Sequence, residues 1–189
     1  MTHSPLIPGF NWDFQNSCGY GTHQPVLYEA IKRSTLDKFP ILELGCGQFS
    51  TDLIHRLAKD RQIISVDSDA GWLDSCRKIH EGPTHEFKLC SFEEMSTFTG
   101  IFSVIFVDQG LWESRLESIK AYKNNAEFVV LHDSDYLVRE LGVNFSDYYK
   151  YHKTFMPLQP YPYVTGPPTT ILSNFSNVTR WEINYEDYK

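Results

Sequence analysis

The sequence predicts an α/β protein in which helices cover both faces of a mostly parallel sheet. Between residues 41 and 133, short apolar segments alternate with segments of helical periodicity over five units. The most apolar segment, FSVIFVD at 102–108, has the composition of a strand that is buried on both faces. In LELGCGQFSTDL at 42–53, a glycine-rich turn joins an apolar segment to a helical one. These three features favour parallel strands joined by right-handed helical crossovers.

The first half of the chain predicts a leading helix and three strands. Residues 1–24 combine aromatic and turn-forming residues, which indicates an irregular segment, and a helix follows over about 25–36. The strand at 41–44 ends in the glycine turn, and Ser50 is a good N-cap for the helix after it. Further strands are expected at 62–67 and 86–90, with a helix at 69–80 between them.

The second half predicts four more strands. Two of them, at 102–108 and 127–133, flank a helix over about 111–123. After a segment of ambiguous helical pattern, 169–173 and 179–183 predict two last strands that pair antiparallel. The 189 residues therefore predict a single Rossmann-like, doubly wound domain with a seven-stranded sheet, mostly parallel with an antiparallel C-terminal strand. Residues 1–24 are expected to form a lid over its ligand edge.

Composition narrows the class of protein. Hydrophobic residues make up 41% and charged residues 22%, which is ordinary for a globular domain. The net charge is -7 with no concentration of Lys and Arg, so a nucleic-acid partner is disfavoured. No apolar run predicts a membrane span, and the N-terminus has no signal-peptide pattern. The spacing of the four cysteines is too wide for a CxxC metal site: Cys18, Cys46, Cys76 and Cys90. Without a secretory signal, reduced thiols and a cytoplasmic protein are favoured.

Five acidic residues fall at the predicted ligand edge, where the carboxyl ends of parallel strands meet. They are Glu43, Asp67, Asp108, Asp133 and Asp135, and no Lys or Arg stands at a predicted strand end. A pyrophosphate would be repelled by this charge, whereas the sulfonium and ammonium groups of S-adenosylmethionine (SAM) would be attracted. A dinucleotide fingerprint would also place a third glycine or alanine where this chain has Ser50. The pattern therefore favours SAM over NAD as the cofactor.

Three motifs carry a resemblance to a known family: ILELGCGQFST at 41–51, IISVDSD at 63–69, and a fourth strand that ends in FVD. Together they resemble the core of the class I SAM-dependent methyltransferases. The resemblance implies that the acid and glycines of the first motif hold the methionine and ribose parts of SAM. It implies that Asp67 takes the ribose hydroxyls and that Ser91 and Phe92 border the adenine, although Phe92 fits plain core packing equally well. The full set expected at the cofactor is Glu43, Gly45, Cys46, Gly47, Ser50, Asp67, Ser68, Ser91, Phe92 and Asp108.

The segment VVLHDSDY at 129–136 resembles a methyltransferase subgroup with His-Asp after the fifth strand, which includes polysaccharide O-methyltransferases. The Asn/Asp-Pro-Pro-aromatic motif that holds planar amines is absent, because DQGL follows the fourth strand. An oxygen acceptor is therefore favoured, and it needs a base or a metal. The expected catalytic residues are His132, Asp108 and Asp133.

Two mechanisms remain open at these residues. His132 is a candidate base, since an imidazole titrates near neutral pH. Alternatively, Asp108, Asp133 and Asp135 bind a divalent cation that lowers the pKa of the acceptor hydroxyl, and the spacing of the first two resembles that of catechol-type O-methyltransferases. The purely structural alternative is that His132 and Asp133 close the strand through local hydrogen bonds.

The acceptor is expected to be a small molecule or a carbohydrate-like compound. The aromatic segments SDYYKYHKTF at 146–155 and YPYVTGPP at 161–168 fit either an acceptor pocket or a homodimer surface. In the lid, Tyr20 and His23 are the candidate contacts, and packing of Trp12 and Phe14 against the sheet is the alternative. Two other functions compete: a SAM-fold binding or assembly protein without methyl transfer, and an RNA methyltransferase.

Overall fold

A single seven-stranded sheet organises the protein in its computed structural model, which describes residues 7, 10, 12, 20–157 and 166–188. The strands are β1 (Ile41–Leu44), β2 (Ile63–Asp67), β3 (His85–Leu89), β4 (Phe102–Val107), β5 (Ala126–His132), β6 (Tyr151–Phe155) and β7 (Thr169–Ser173). The helices are α1 (Gln24–Arg33), α2 (Ser50–Leu57), α3 (Ala70–His80), α4 (Trp112–Ala121) and α5 (Ser134–Leu141). Short 3-10 turns lie at Glu94–Ser96, Phe145–Asp147 and Tyr185–Tyr188.

The strand order is β3-β2-β1-β4-β5-β7-β6, and the first five of these strands run parallel. Strand β7 pairs antiparallel with both β5 and β6. The order reverses between β1 and β4, so a crevice opens there at the carboxyl ends of the strands. The predicted Rossmann-like, mostly parallel sheet with an antiparallel C-terminal part is confirmed.

Two apolar layers enclose the sheet. Every residue of β4 and β5 is buried, as the continuous apolar character of 102–108 predicts. On one face α1 and α2 pack over the sheet through Leu27, Ile31 and Leu53. On the other face α4 and α5 pack through Ile119 and Leu137. Helices on both faces fix the carboxyl edge of the sheet as the accessible ligand edge.

The prediction of a strand at 179–183 is wrong, and the partner of β7 is β6 at Tyr151–Phe155 instead. The misassigned segment packs through its side chains. Trp181 lies edge-on to Phe128 at 5.0 Å between ring centroids, and the Arg33 guanidinium lies 4.7 Å from the Trp181 ring. The Lys153 ammonium donates to the Trp181 carbonyl oxygen. These contacts hold the segment against β5, α1 and β6 without strand pairing.

Two smaller expectations also change. Helix α2 begins at Ser50, and Phe49 occupies the N-cap position without a side-chain cap, so the predicted Ser50 cap is wrong. Cys46 and Cys76 are buried free thiols and Cys90 is a half-buried one, whereas Cys18 lies outside the described residues. None of the described helices combines the length and apolar character that a membrane crossing requires.

Candidate cofactor and catalytic cleft

A cleft of about 1040 Å³ opens at the carboxyl ends of the strands. Its lining comes from the turns after β1, β2 and β4, from the starts of α4 and α5, and from the segment before α1. The lining residues are Tyr20, His23, Gly45, Cys46, Gly47, Gln48, Phe49, Ser50, Asp67, Ser68, Asp69, Trp72, Phe92, Asp108, Gln109, Gly110, Trp112, Arg115, His132, Asp133, Asp135, Tyr136 and Pro167.

The floor of the cleft is the glycine turn after β1. Gly45 has φ +86°, a conformation that L side chains rarely adopt. A Cβ at this position would lie 2.6 Å from the backbone carbonyl of Asp108. The turn and the end of β4 therefore touch at the backbone, and the Asp108 amide donates to the Leu44 carbonyl oxygen at 2.7 Å. Only glycine allows this close approach.

Glu43 supports the turn from inside the protein and does not line the cleft. Its carboxylate accepts hydrogen bonds from the Thr51 hydroxyl at 3.0 Å and the Ser65 hydroxyl at 2.5 Å. The Thr51 hydroxyl in turn accepts from the Gly47 amide at 3.0 Å. Burial raises the pKa of Glu43 to about 8, against these hydrogen bonds. The side chain thus positions the glycine turn through Thr51.

Asp67 stands opposite the turn at the end of β2. One carboxylate oxygen accepts from the Cys46 amide at 3.0 Å, and the other accepts from the Asp69 amide at 2.9 Å. Trp72, at the start of α3, donates its indole N–H to the Cys46 carbonyl oxygen. Burial raises the pKa of Asp67 above its usual value. The acid and the glycine turn are therefore held in one rigid wall.

The two residues expected at the adenine separate in the structure. Phe92 lines the cleft, and its ring lies 3.4 Å from the point where a Gly110 Cβ would stand. Ser91 is not part of the cleft lining and closes a local turn: its amide donates to the Glu94 carboxylate at 2.8 Å, and its hydroxyl accepts from the Glu94 amide at 3.3 Å. Ser91 therefore shapes the loop that carries Phe92.

Arg115 is a site residue that the sequence reasoning missed. From α4 it reaches into the cleft almost completely buried, with its guanidinium 3.0 Å from the Asp108 carboxylate and 3.3 Å from the Asp133 carboxylate. It also donates to the carbonyl oxygens of Gln109 at 2.5 Å and His132 at 2.8 Å. A signal existed in the sequence: Arg115 shares the buried face of α4 with a residue four positions later, Ile119.

This arginine lies at the predicted cation site. Its guanidinium lies between Asp108 and Asp133, two of the three aspartates that were predicted to bind a divalent cation. Asp135 lies 3.8 Å from the Arg139 guanidinium. Among the described residues, the potential metal ligands whose atoms lie within 4.8 Å of one another are those of His23, Asp108 and His132, and the three predicted aspartates do not form such a group.

His132 is buried, and both of its ring nitrogens have partners. Nδ1 lies 3.2 Å from the Asp108 carboxylate, and Nε2 lies 3.0 Å from the Thr22 hydroxyl. Because Thr22 donates to the Pro167 carbonyl oxygen at 2.9 Å, its hydroxyl accepts from Nε2–H. Burial lowers the pKa of His132, but the Asp108 and Asp133 carboxylates together raise it more, so the net shift is upward. The geometry suits an oriented imidazolium better than a free base.

Asp133 has a partly accessible carboxylate, as Asp108 does. It takes a left-handed backbone conformation, with φ 50° and ψ 40°, and directs the chain from β5 into α5. Its side chain is 21% exposed at the cleft, whereas that of His132 is 4% exposed. Burial and the Asp108 carboxylate raise the pKa of Asp133, against the opposing effects of His132 and Arg115.

The N-terminal candidates differ in role. His23 is buried beside Phe106 and His132, with 4.7 Å between ring centroids in each case, and burial lowers its pKa to about 3. Tyr20 lines the cleft and is 72% exposed. Trp12 packs edge-on to Tyr28 of α1 and to Tyr188 of the last 3-10 turn, rather than against a strand of the sheet, whereas Phe14 lies outside the described residues.

The aromatic segment at 146–155 does not line the cleft. Tyr149 is buried and donates to the Ile119 carbonyl oxygen at 2.6 Å, and Phe155 lies in the core. Of the second segment, 161–165 lies outside the described residues, and Pro167 is at the cleft. The cleft instead gains Trp112 and Tyr136, whose rings are nearly parallel, with their centroids 4.3 Å apart.

A scan of protein-family models and a search of curated protein sequences each find no match. Solved structures do match. The bifunctional kinase-methyltransferase WbdD has a TM-score of 0.56 at 16% identity, over 89% of this chain and 43% of that one. A precorrin-6y C5,15-methyltransferase from Geobacter metallireducens has a TM-score of 0.58 at 12% identity, over 79% of this chain and 88% of that one. The SAM-bound magnesium protoporphyrin IX methyltransferase of Synechocystis has a TM-score of 0.53 at 12% identity, over 80% and 78%.

The fold is that of the SAM-dependent methyltransferases. This chain spans less than half the length of the WbdD chain, and at these identities the likeness concerns the fold alone. Of the residues expected at the site, those that line the cleft of this methyltransferase fold are Gly45, Cys46, Gly47, Ser50, Asp67, Ser68, Phe92, Asp108, His132, Asp133 and Asp135. Glu43 and Ser91 do not line the cleft: Glu43 is buried beneath the glycine turn, and Ser91 is an exposed residue next to Phe92.

Proposed function

We propose that the protein is a SAM-dependent methyltransferase that acts on a hydroxyl group of a small-molecule or carbohydrate-like acceptor. The observation that carries the proposal is the charge of the cleft above the glycine turn. The described residues that line it include one arginine, Arg115, and five aspartates: Asp67, Asp69, Asp108, Asp133 and Asp135. Such a cleft attracts the sulfonium and ammonium of SAM and repels a pyrophosphate. The carbohydrate-like acceptor rests on the resemblance of VVLHDSDY to polysaccharide O-methyltransferases.

The proposed cofactor position follows the rigid wall of the cleft. The backbone at Gly45 and Gly47 faces the methionine part, Asp67 takes the ribose hydroxyls, and Phe92 borders the adenine. Of the predicted lid, Tyr20 lies at the mouth of the cleft, whereas residues 13–19 lie outside the described residues. A charge-assisted hydrogen bond from ribose to a carboxylate contributes about 1.5–3 kcal/mol.

For the transfer step, we assign the acceptor proton to Asp133. SAM supplies the methyl group, whose bond to sulfur breaks as its bond to the acceptor oxygen forms. The accessible carboxylate of Asp133, with its raised pKa, takes the proton that the hydroxyl loses. His132 has both nitrogens engaged, so it orients Asp108 and does not act as the base. Arg115 holds the two carboxylates apart and in place.

Calorimetric titration of the purified protein tests the cofactor assignment. We expect SAM to bind and NAD to give no heat of binding. The variant Asp67→Asn should weaken SAM binding about tenfold to a hundredfold, the equivalent of one charge-assisted hydrogen bond. Asp60→Asn is the matched control, because Asp60 is exposed just before β2, at the opposite edge of the sheet. Absence of SAM binding at millimolar concentration would refute the proposal.

Turnover tests the acceptor class. S-adenosylhomocysteine formation is measured with a panel of monosaccharides, oligosaccharides and phenols. The variant Asp133→Asn should lower the rate about a hundredfold or more, as expected for loss of a general base, with SAM affinity unchanged. Binding of SAM without product from any acceptor would favour the binding or assembly protein, and product only with RNA would favour an RNA methyltransferase.

A further inference from the structure

His23 is a buried side chain whose polar atoms have no partner. Its exposure is 2%, and neither ring nitrogen makes a hydrogen bond with any residue that the structure describes. Leaving a buried donor and acceptor unpaired is destabilising, because neither group recovers the hydrogen bonds that it makes with water. The ring nevertheless contributes to the cleft lining, beside the His132 ring. A group bound in the cleft would satisfy it.

The hydrogen bonds of His132 orient this ring as a metal-binding histidine is usually oriented. Its Nε2–H donates to the Thr22 hydroxyl, which in turn donates to a backbone carbonyl. A polar acceptor on one ring nitrogen fixes the tautomer and directs the other nitrogen to the ion. Here that other nitrogen, Nδ1, faces the Asp108 carboxylate at 3.2 Å.

We propose that His23, Asp108 and His132 bind a divalent first-row transition metal ion, such as Zn²⁺, Co²⁺ or Fe²⁺, at the inner wall of the cleft. One ligand atom from each residue lies within 4.8 Å of the other two. Metal–nitrogen and metal–oxygen bonds of about 2.0–2.2 Å need neighbouring ligand atoms about 3 Å apart. His132 and Asp108 already meet this requirement, and a shift of His23 by about 1–2 Å completes the set.

The ligand chemistry selects the ion. Two imidazoles and one carboxylate suit zinc and iron-group ions, whereas magnesium and calcium prefer all-oxygen sites. The ion would take the place of the proton between Nδ1 and the carboxylate, and this proton would leave to solvent. Its two positive charges would face the ion-paired Asp108 and Asp133. The remaining coordination positions open to the cleft, where an acceptor oxygen can bind and become more acidic.

This site uses none of Gly45, Gly47, Asp67 and Phe92, the residues to which the SAM position was assigned, so its test does not depend on methyl transfer. Protein freed of metal with a chelator is titrated with Co²⁺, and the visible absorption of the bound ion is recorded. We expect one Co²⁺ per chain, displaced by Zn²⁺ and not by Mg²⁺. The variant His23→Gln should weaken Co²⁺ binding at least about a hundredfold, since it removes one of three ligands.

Two control variants locate the ion. His80→Gln removes a histidine away from the proposed site, since His80 lies beside His55 with 5.0 Å between ring centroids. Asp135→Asn removes one of the three aspartates that the sequence predicted as cation ligands. Both should bind Co²⁺ as the wild type does. Retained binding in His23→Gln, loss of binding in either control, or preference for Mg²⁺ would each overturn the proposal. Circular dichroism confirms that every variant is folded.

Failure of this proposal and failure of the methyltransferase proposal give different results. If His23 instead contacts the cofactor, Co²⁺ fails to bind and His23→Gln weakens SAM binding in metal-free protein. If the metal proposal holds, the same variant leaves SAM binding to the metal-free protein unchanged.

Discussion

Replacing Glu43 with Gln should change how the stability of the protein depends on pH. In the folded state the carboxyl is completely buried, and burial raises its pKa from 4.5 to about 8. Between these two pKa values the folded state binds more protons than the unfolded state. The free energy of unfolding therefore falls as pH rises through this range. Glu43→Gln keeps an amide acceptor for Thr51 and Ser65 and removes the titration.

The magnitude follows from the two pKa values. One pKa unit corresponds to about 1.36 kcal/mol, and integrating the proton difference from about pH 5 to about pH 8 gives roughly 3 to 4 kcal/mol. The wild type should lose this much stability relative to Glu43→Gln over that range. Contributions from histidines cancel in the comparison, because both proteins contain them.

Urea denaturation followed by circular dichroism, repeated at each pH, measures the difference between the two proteins. Glu127→Gln is the matched control. Burial would raise the pKa of Glu127, but hydrogen bonds from Ser34, Thr35 and Ser176 outweigh it and lower the pKa below 4.5. The ionised Glu127 loses its contribution to stability only as pH falls through the acidic range. The difference in free energy of unfolding between the wild type and Glu127→Gln should therefore stay constant from about pH 5 to about pH 8. A flat difference for Glu43→Gln as well would refute the reasoning and mean that Glu43 stays ionised in the folded protein.

Two further variants test the walls of the cleft by urea denaturation. Gly45→Ala should destabilise the protein by about 2 kcal/mol or more, because of the positive φ and the clash of the new Cβ with the Asp108 carbonyl. At Gly47 a Cβ would make only ordinary van der Waals contacts, so Gly47→Ala should cost about 1 kcal/mol or less. Arg115→Met should cost about 3–5 kcal/mol, since it removes the buried guanidinium that pairs with the Asp108 and Asp133 carboxylates and donates to two backbone carbonyls. The exposed Arg139→Ala should stay within about 1 kcal/mol. Equal costs within either pair would contradict the corresponding account.

The elements that the sequence predicted well are those with strong local signals. Strand β4 is a continuous apolar segment, and the turn at Gly45 has the glycine that its conformation requires. The antiparallel pair at the C-terminus was harder, because Tyr151–Phe155 and 179–183 both mix aromatic and polar residues. Only the pairing with Thr169–Ser173 shows that Tyr151–Phe155 is the strand, and that pairing depends on how the rest of the sheet is built.

The sequence alone determined the parallel sheet, the ligand edge and the acidic character of the cleft, because these follow from apolar periodicity, glycine and the residues at strand ends. Tertiary structure decided which side chains meet there. Arg115 enters the cleft from the third strand-helix crossover, Glu43 turns inward beneath the glycine turn, and His23 joins His132 from a distant part of the chain. These contacts depend on the directions of side chains after packing, which local sequence does not encode.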